Sequence, residues 1–183
     1  YIMHYTKICN IDLNLDLANL KGPMTKSYIG LSDGKLQYNM FNDLRIQNSL
    51  PMFSTIKPSS ILVAEIDGSG SLGPHRDHGF QAVINYYKIS NNATTLFYKQ
   101  RDNAKPFIAP GETKAQLYTS DDVEIVDSFT AKDHDVYLLD VSQIHAVSSP
   151  KRGSRLFLSY GFMDNSYQEL LETLRFVGVN SGT

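Results

Sequence analysis

The chain has 183 residues, of which 42% are hydrophobic, 11% aromatic and 20% charged, the composition of an ordinary water-soluble globular protein. A formal net charge of −2 argues against nucleic acid as a partner, and no apolar run reaches the ~18 residues that a membrane span needs. The lone cysteine, Cys9, excludes an intramolecular disulfide and the thiolate-rich zinc sites, so we expect a reducing, cytoplasmic setting.

The length favours a single domain over residues 1–183. Residues 1–58 carry turn signals but no cluster of titratable side chains, so we expect a support region that packs outside a sheet, with a short helix at 41–46. His4 stands alone in this region, which is typical of a surface or packing histidine. No catalytic role is predicted for the N-terminal third.

The part of the chain that follows, residues 60–163, is rich in β signals. Nine candidate strands are separated by short polar or glycine-containing turns: 60–66, 72–77, 81–89, 94–99, 115–119, 123–129, 135–140, 144–148 and 155–162. This pattern predicts a mainly β protein, a double-stranded β-helix (jelly roll) with a few flanking helices.

Three local signals complete the predicted fold. Asn91-Asn92 is typical of a hairpin turn between two of the strands. Residues 100–114 form a longer connection than a hairpin needs, typical either of a lid or binding loop or of a surface excursion. Ser166 and Glu169 form a capping box, so a C-terminal helix within 164–177 should begin near Tyr167.

A histidine and a carboxylate lie two residues apart at the end of the second core strand, in Pro74-His75-Arg76-Asp77. Residues two apart in a strand share a face, so His75 and Asp77 should present an imidazole and a carboxylate side by side. Roughly half an H-x-[DE] match is expected by chance in this composition, so the motif needs its context. Here a probable buried strand and a glycine-rich turn precede it, as expected for ligands at the mouth of a barrel.

A second histidine from another strand would complete the two-histidine, one-carboxylate triad that binds non-haem Fe(II). His145, at the start of a later strand, is the candidate. Ten residues on, Arg155 opens a strand that is apolar on both faces, where a guanidinium is costly unless an anion pairs with it. A dicarboxylate cosubstrate would supply that anion, since arginine binds carboxylates in a bidentate manner.

The order of these residues resembles the Fe(II)- and 2-oxoglutarate-dependent oxygenases over roughly residues 60–163. Pro-His75-Arg-Asp77 and His145-Ala-Val, followed by Arg155-Leu-Phe-Leu, are similar to the aspartyl/asparaginyl and proline hydroxylase-like branch. Some members of the aspartyl hydroxylase branch lack the acidic ligand and carry an arginine in the next strand, where this chain has Gln81-Ala82-Val83.

The resemblance implies that His75, Asp77 and His145 are the catalytic iron ligands and that Arg155 binds the far carboxylate of 2-oxoglutarate. Asn85 and Tyr87 share a face of the third core strand and are candidates to line the cosubstrate pocket or the substrate pocket, as an alternative to ordinary barrel packing. The implied activity is hydroxylation of a C–H bond in an amino acid, a protein side chain or another small metabolite, with succinate and CO2 as coproducts.

Other functions fit parts of the same pattern. Two histidines and an aspartate can hold a catalytic zinc ion in a hydrolase, which leaves Arg155 unexplained. The H-x-H followed by glutamate of a cupin-type metalloprotein is absent. A non-catalytic jelly-roll binding module with structural histidines is the alternative from a different class. We expect a small-molecule or peptide substrate and no membrane partner, and the oligomeric state is not readable from the sequence.

Overall fold

The computed structural model describes residues 3–21, 26–29, 35–41, 46, 48–66, 71–108, 115–148 and 153–176. Its strands in chain order are β1 (Tyr5–Asn10), β2 (Lys26–Ile29), β3 (Lys35–Phe41), β4 (Ser60–Ile66), β5 (Leu72–Arg76), β6 (Ala82–Ile89), β7 (Thr94–Gln100), β8 (Phe107–Ile108), β9 (Gln116–Leu117), β10 (Val123–Thr130), β11 (Asp135–Leu139), β12 (Ile144–Val147) and β13 (Arg155–Phe162). Its α-helices are α1 (Leu17–Lys21) and α2 (Tyr167–Phe176), and short 3-10 turns occupy Pro51–Ser54 and Ser120–Asp122.

The strands form two antiparallel sheets. The large sheet has the order β1-β11-β6-β13-β4-β3-β2, and the small sheet has the order β10-β7-β12-β5-β9-β8. From β4 onward the chain passes back and forth between the sheets, so that β4, β6, β11 and β13 lie in one and β5, β7, β10 and β12 in the other. These eight strands, four in each sheet, form the core of a double-stranded β-helix, as predicted. The remaining strands extend the two sheets at their edges.

Both faces of the large sheet are covered, which explains why its central strands are apolar throughout. On the inner face, Val83, Tyr87 and Tyr137 pack with Phe97 of the small sheet. On the outer face, the alternate residues of the same strands pack against the N-terminal third and α2 in one large buried cluster; it includes Ile84, Tyr86, Val136, Leu138, Leu158 and Tyr160 of the sheet, Leu17, Leu50 and Phe53 of the N-terminal third, and Leu170, Leu171 and Leu174 of α2.

The predicted core strands agree closely with the observed ones. The segments predicted at 60–66 and 155–162 coincide with β4 and β13, and the others differ by one residue at one end, except that 115–119 is shortened to β9. Asn91 and Asn92 adopt positive φ angles of 50° and 55° in a tight turn. The predicted hairpin is wrong, however, because this turn connects β6 of the large sheet to β7 of the small sheet, and the two strands do not pair. Helix α2 begins at Tyr167, and the side chains of Ser166 and Glu169 each accept from the other residue's backbone N–H, which confirms the capping box.

The N-terminal third differs from its prediction. Part of it packs on the outer face of the sheet as expected, but β1 also extends the large sheet at one edge, and β2 and β3 extend it at the other. Phe41, expected at the start of a helix, is the last residue of β3, and 42–45 lie outside the described residues. The predicted loop 100–114 contains β8, which pairs with β9 at the edge of the small sheet, and 109–114 are not described.

The helices were also examined as membrane spans. Across the described ranges, no helix has the length and apolar character that crossing a bilayer demands.

The first prediction concerns the outer-face core. Leu158 is fully buried there, so Leu158→Ala should lower the free energy of unfolding by about 2–5 kcal/mol through lost burial and a residual cavity. Ile125→Ala on β10 is the control, because the Ile125 side chain is 57% exposed and its truncation should change the value by no more than about 0.5 kcal/mol. Urea unfolding of both variants measures the difference, and equal losses would contradict this packing.

The second prediction concerns acid stability. Burial favours the neutral form of Asp135, but hydrogen bonds from Lys7, Asn10 and the Lys132 backbone outweigh it and hold the pKa of this carboxyl below its ordinary value of 3.8. The resulting stabilisation is fully present above the unfolded-state pKa and is lost as the pH falls through the lower folded value. Asp135→Asn should therefore lower stability at pH 7 and flatten its decline below pH ~4.

Chemical unfolding of Asp135→Asn across this pH range measures both effects. Asp121→Asn, at an exposed carboxylate, is the control and should leave the profile of the parent unchanged. An Asp135→Asn profile that declines as steeply in acid as the parent's would contradict the account.

Candidate metal centre

The two candidate histidines lie on adjacent strands of the small sheet. His75 of β5 and His145 of β12 are directly opposite each other in the antiparallel register, and their ring centroids are 4.3 Å apart. Asp77 follows the last residue of β5, and its Oδ1 lies 3.7 Å from Nε2 of His75. One ligand atom from each of the three residues lies within 4.8 Å of the others, so the structure brings the predicted triad together.

Both imidazoles are oriented by the backbone in the same way. Nδ1 of His75 lies 2.8 Å from the carbonyl oxygen of Gly73, and Nδ1 of His145 lies 3.0 Å from that of Gln143. A carbonyl only accepts, so each Nδ1 carries the proton and donates it, and the ring lone pair is on Nε2. A backbone carbonyl on the remote nitrogen is the usual way in which proteins orient a metal-binding histidine.

The protonation state of His75 also suits a metal. Burial first, and the neighbouring His145 second, lower the pKa of His75 to about 4, although Asp77 and the Gly73 carbonyl oppose the shift. His75 is therefore neutral at pH 7, which is the form that binds a metal ion. The two imidazoles and the carboxylate form a donor set typical of Fe(II) or Zn²⁺.

Arg155, the buried arginine, lies at the other end of the barrel from the cluster of His75, Asp77 and His145. Strands β5 and β11 end, and β6 and β12 begin, at one end of the barrel, which we call the mouth. Arg155 starts β13 at the other end, and only 1% of its surface is exposed. The guanidinium therefore does not extend from the strand end into water.

The guanidinium is only partly satisfied by the described protein atoms. Nη2 donates to Oγ1 of Thr95 at 3.3 Å, whereas Nε and Nη1 are buried and have no hydrogen-bond partner. Its carbon Cζ lies 4.3 Å from the centre of the Tyr87 ring. Burial lowers the pKa of Arg155, with Tyr87 opposing the shift, but arginine stays charged in proteins. The result is a buried cation with two donors that lack an acceptor.

Tyr87 and Asn85 lie beside this cation on the inner face of β6. Nδ2 of Asn85 donates to the hydroxyl of Tyr87 at 3.3 Å, so Asn85 orients Tyr87, whose ring covers the guanidinium. Oδ1 of Asn85 is buried without a donor.

Strand β7 connects the two halves of the site. Phe97 lies opposite His145 in the register, and Thr95, two residues away on the same face, is the residue that Arg155 contacts. Two residues along a strand span about 7 Å, so the β7 residues that contact Arg155 and that lie opposite His145 are about 7 Å apart along the strand. Thr95 and Phe97 were not predicted, because nothing in the sequence Thr94-Thr95-Leu96-Phe97 distinguishes them from ordinary strand residues.

Arg76 and His78, which flank Asp77 in the sequence, are not part of the cluster. Arg76 faces the opposite side of β5, as the alternation predicts, and its Cζ lies 5.9 Å from the centre of the Tyr118 ring. His78 is exposed.

An open cavity of about 500 Å³ lies elsewhere on the protein. It is lined by residues 99–104, Asp121, Asp122 and Glu124, and none of the three candidate ligands borders it.

No family model and no curated protein matches the chain. Among solved structures, it is similar to an oxidoreductase of the 2OG-Fe(II) oxygenase family from Burkholderia pseudomallei, with 7% identity, 79% of this chain and 76% of that chain covered, and a TM-score of 0.49. A cupin-like protein from Thermotoga maritima has 10% identity, coverage of 73% and 72%, and a TM-score of 0.37. An oxalate decarboxylase from Bacillus subtilis has 16% identity, coverage of 81% and 29%, and a TM-score of 0.41. Identities this low do not carry an activity over, so the function has to come from this chain's own side chains.

The third prediction tests the cluster. His75→Ala, Asp77→Ala and His145→Ala should each weaken Fe(II) binding at least ~10-fold, because each removes one of three ligands. His78→Ala is the matched control, a histidine next to the motif but exposed, and it should bind Fe(II) like the parent. Anaerobic titration of the purified proteins measures the affinity, with circular dichroism to verify the fold. Parent-like affinity in His145→Ala would mean that the triad is not the metal site.

Proposed function

We propose that the protein is an Fe(II)- and 2-oxoglutarate-dependent dioxygenase that hydroxylates a C–H bond of an amino acid, a protein side chain or another small metabolite. The observation that carries this proposal is the buried guanidinium of Arg155, whose Nε and Nη1 have no acceptor and whose contact with Thr95 lies two residues along β7 from the partner of His145. A metal alone explains the cluster. Only an anion of suitable length explains the arginine as well.

The donor set fits iron. His75 and His145 would provide neutral imidazole nitrogens, and Asp77 would provide a carboxylate that offsets part of the metal charge. Iron held in this way supplies the oxygen chemistry, in which one atom of O2 enters the substrate as a hydroxyl group and the other enters succinate as 2-oxoglutarate loses CO2. The protein's part is to hold the reactants in position and to exclude water.

The buried polar groups fit 2-oxoglutarate. Nε and Nη1 of Arg155 are available as charge-assisted donors to its far carboxylate, and Nη2 donates to Thr95. Tyr87, beside the guanidinium and oriented by Asn85, would border the same carboxylate. The aromatic rings of Tyr87 and Phe157 pack near the guanidinium, with the centre of the Phe157 ring 5.8 Å from Cζ of Arg155. A low-polarity wall of this kind strengthens a charge pair.

The alternatives explain less of the site. A zinc hydrolase would use the three ligands but has no use for a buried arginine with unpaired donors. In a binding module with structural histidines, there is no reason for both Nδ1 atoms to bond to backbone carbonyls and for both rings to meet the same carboxylate. Within the proposed class, the sequence motif Pro-His75-Arg76-Asp77 favours the aspartyl/asparaginyl and proline hydroxylase-like branch.

The direct test is a turnover assay. Iron-loaded protein with 2-oxoglutarate and O2 should form succinate, faster in the presence of a suitable member of a panel of free amino acids, peptides and hydroxylatable metabolites. His145→Ala serves as the inactive control. If the iron-loaded parent formed no more succinate than His145→Ala with every member of the panel, the proposal would be wrong.

The fourth prediction separates this enzyme class from other proteins with the same three ligands. Arg155→Leu places an apolar side chain in an apolar strand but removes the charge-assisted pair with a carboxylate. The loss of such a pair costs ~2–5 kcal/mol of binding free energy when the partner charge is left buried and unpaired. In titrations of the metal-loaded protein, 2-oxoglutarate should therefore bind at least ~30-fold more weakly, while metal content is retained. Arg175→Leu, at an exposed arginine of α2, is the control and should bind like the parent. Equal affinities in Arg155→Leu and the parent would overturn the cosubstrate assignment.

A further inference from the structure

A fourth histidine, His4, lies at the mouth of the barrel. It immediately precedes β1, whose first residue, Tyr5, is opposite Leu139, the last residue of β11. The carbonyl oxygen of His4 accepts a hydrogen bond of 2.9 Å from the backbone N–H of Asp140, at the start of the turn that leads into β12. The backbone of His4 is therefore fixed to the same turn that delivers His145.

The side chain of His4 is directed into the barrel. Its ring stacks on Phe97, with centroids 5.4 Å apart and planes at 18°. Phe97 is fully buried, and its ring centroid is 6.4 Å from that of His145. The rings of His4, Phe97, His145 and His75 thus follow one another, and a single aromatic ring separates His4 from the candidate metal centre.

One atom of His4 lacks a partner. Its Nδ1 is buried and has no hydrogen bond to any described protein atom, although the residue as a whole is partly exposed. A buried ring nitrogen without a partner is unfavourable, so the arrangement is explained if a ligand supplies the missing hydrogen bond. Neither the metal nor the proposed cosubstrate uses this position, because the ligands are His75, Asp77 and His145 and the carboxylate pocket lies deeper, at Arg155.

We propose that His4 binds the prime substrate, with Nδ1 forming a hydrogen bond to a polar group of the molecule that lies across the barrel mouth above Phe97. This inference rests on the proposed function, since it assigns a residue to the substrate of that reaction. It gives the N-terminal segment a role in substrate binding and adds a polar contact to a mouth that is otherwise bordered by the ligands and aromatic rings.

Two substitutions separate the hydrogen bond from the packing. His4→Phe keeps a ring that can stack on Phe97 but removes the nitrogen, whereas His4→Asn keeps a polar atom near the position of Nδ1 but removes the ring. With the best substrate from the succinate panel, His4→Phe should raise the KM for that substrate about 5- to 10-fold, as the loss of one hydrogen bond implies. His4→Asn should recover part of the loss. Fe(II) affinity and 2-oxoglutarate affinity should be those of the parent in both variants.

A second measurement does not depend on turnover. Mn²⁺ loaded into the site in place of Fe(II) should broaden the His4 ring signals in the NMR spectrum of the ¹⁵N-histidine-labelled protein, because paramagnetic broadening falls steeply with distance. The signals are assigned by their absence from His4→Phe, and those of His134, which precedes β11 at the end of the barrel away from the mouth, provide a reference in the same spectrum.

The outcomes distinguish the two proposals. Sharp His4 signals with bound Mn²⁺, an unchanged KM in His4→Phe, or a loss of Fe(II) affinity in that variant would each overturn the role of His4 and leave the proposed function intact. A parent protein that binds neither Mn²⁺ nor 2-oxoglutarate, or that turns over no panel member, would overturn the proposed function and the role of His4 with it. Broadened His4 signals together with a raised substrate KM would support both.

Discussion

A buried arginine without an anion is the constraint on which this site depends. The guanidinium of Arg155 is 1% exposed and lies at the first position of β13, the strand that pairs with both β4 and β6 in the middle of the large sheet. Taking a charge out of water costs several kcal/mol when no opposite charge accompanies it. The ring of Tyr87 and the hydroxyl of Thr95 offset part of this cost, and Nε and Nη1 have no hydrogen-bond partner among the described protein atoms. The fold therefore gives up stability at this point in order to hold a positive charge inside the barrel.

The two halves of the candidate site come from opposite sheets of the double-stranded β-helix. The small sheet supplies His75 and His145 from neighbouring strands in register, and backbone carbonyls fix the orientation of both rings. The large sheet supplies Arg155 and Tyr87 from its inner face. The outer face of the large sheet is packed by the N-terminal third and α2. That packing buries the face of the large sheet opposite the one that carries Arg155 and Tyr87.

The sequence predicted the core of the fold and the members of the candidate cluster because both depend on local patterns. Period-2 alternation and turn residues locate the strands between 60 and 162, and His75 and Asp77 share a face simply because they are two apart. The N-terminal strands were missed even though Leu36, Tyr38 and Met40 alternate in β3 after a Ser-Asp-Gly turn signal, the pattern of a hairpin strand. The contacts of Arg155 with Thr95 and of His4 with Phe97 join residues far apart in the chain. Neither contact has a local signal, so only the three-dimensional structure places His4 beside the candidate metal centre.

The central claim is that one pocket holds iron and 2-oxoglutarate together. A 2-oxo acid that chelates Fe(II) through its keto and carboxylate oxygens produces a visible charge-transfer absorption band, which neither component produces alone. The claim is tested most directly by adding Fe(II) and then 2-oxoglutarate to the parent protein without oxygen and recording the visible spectrum. The account predicts a band that appears only when protein, Fe(II) and 2-oxoglutarate are all present and that saturates at one equivalent of iron. A spectrum that stays featureless although iron is bound would contradict it.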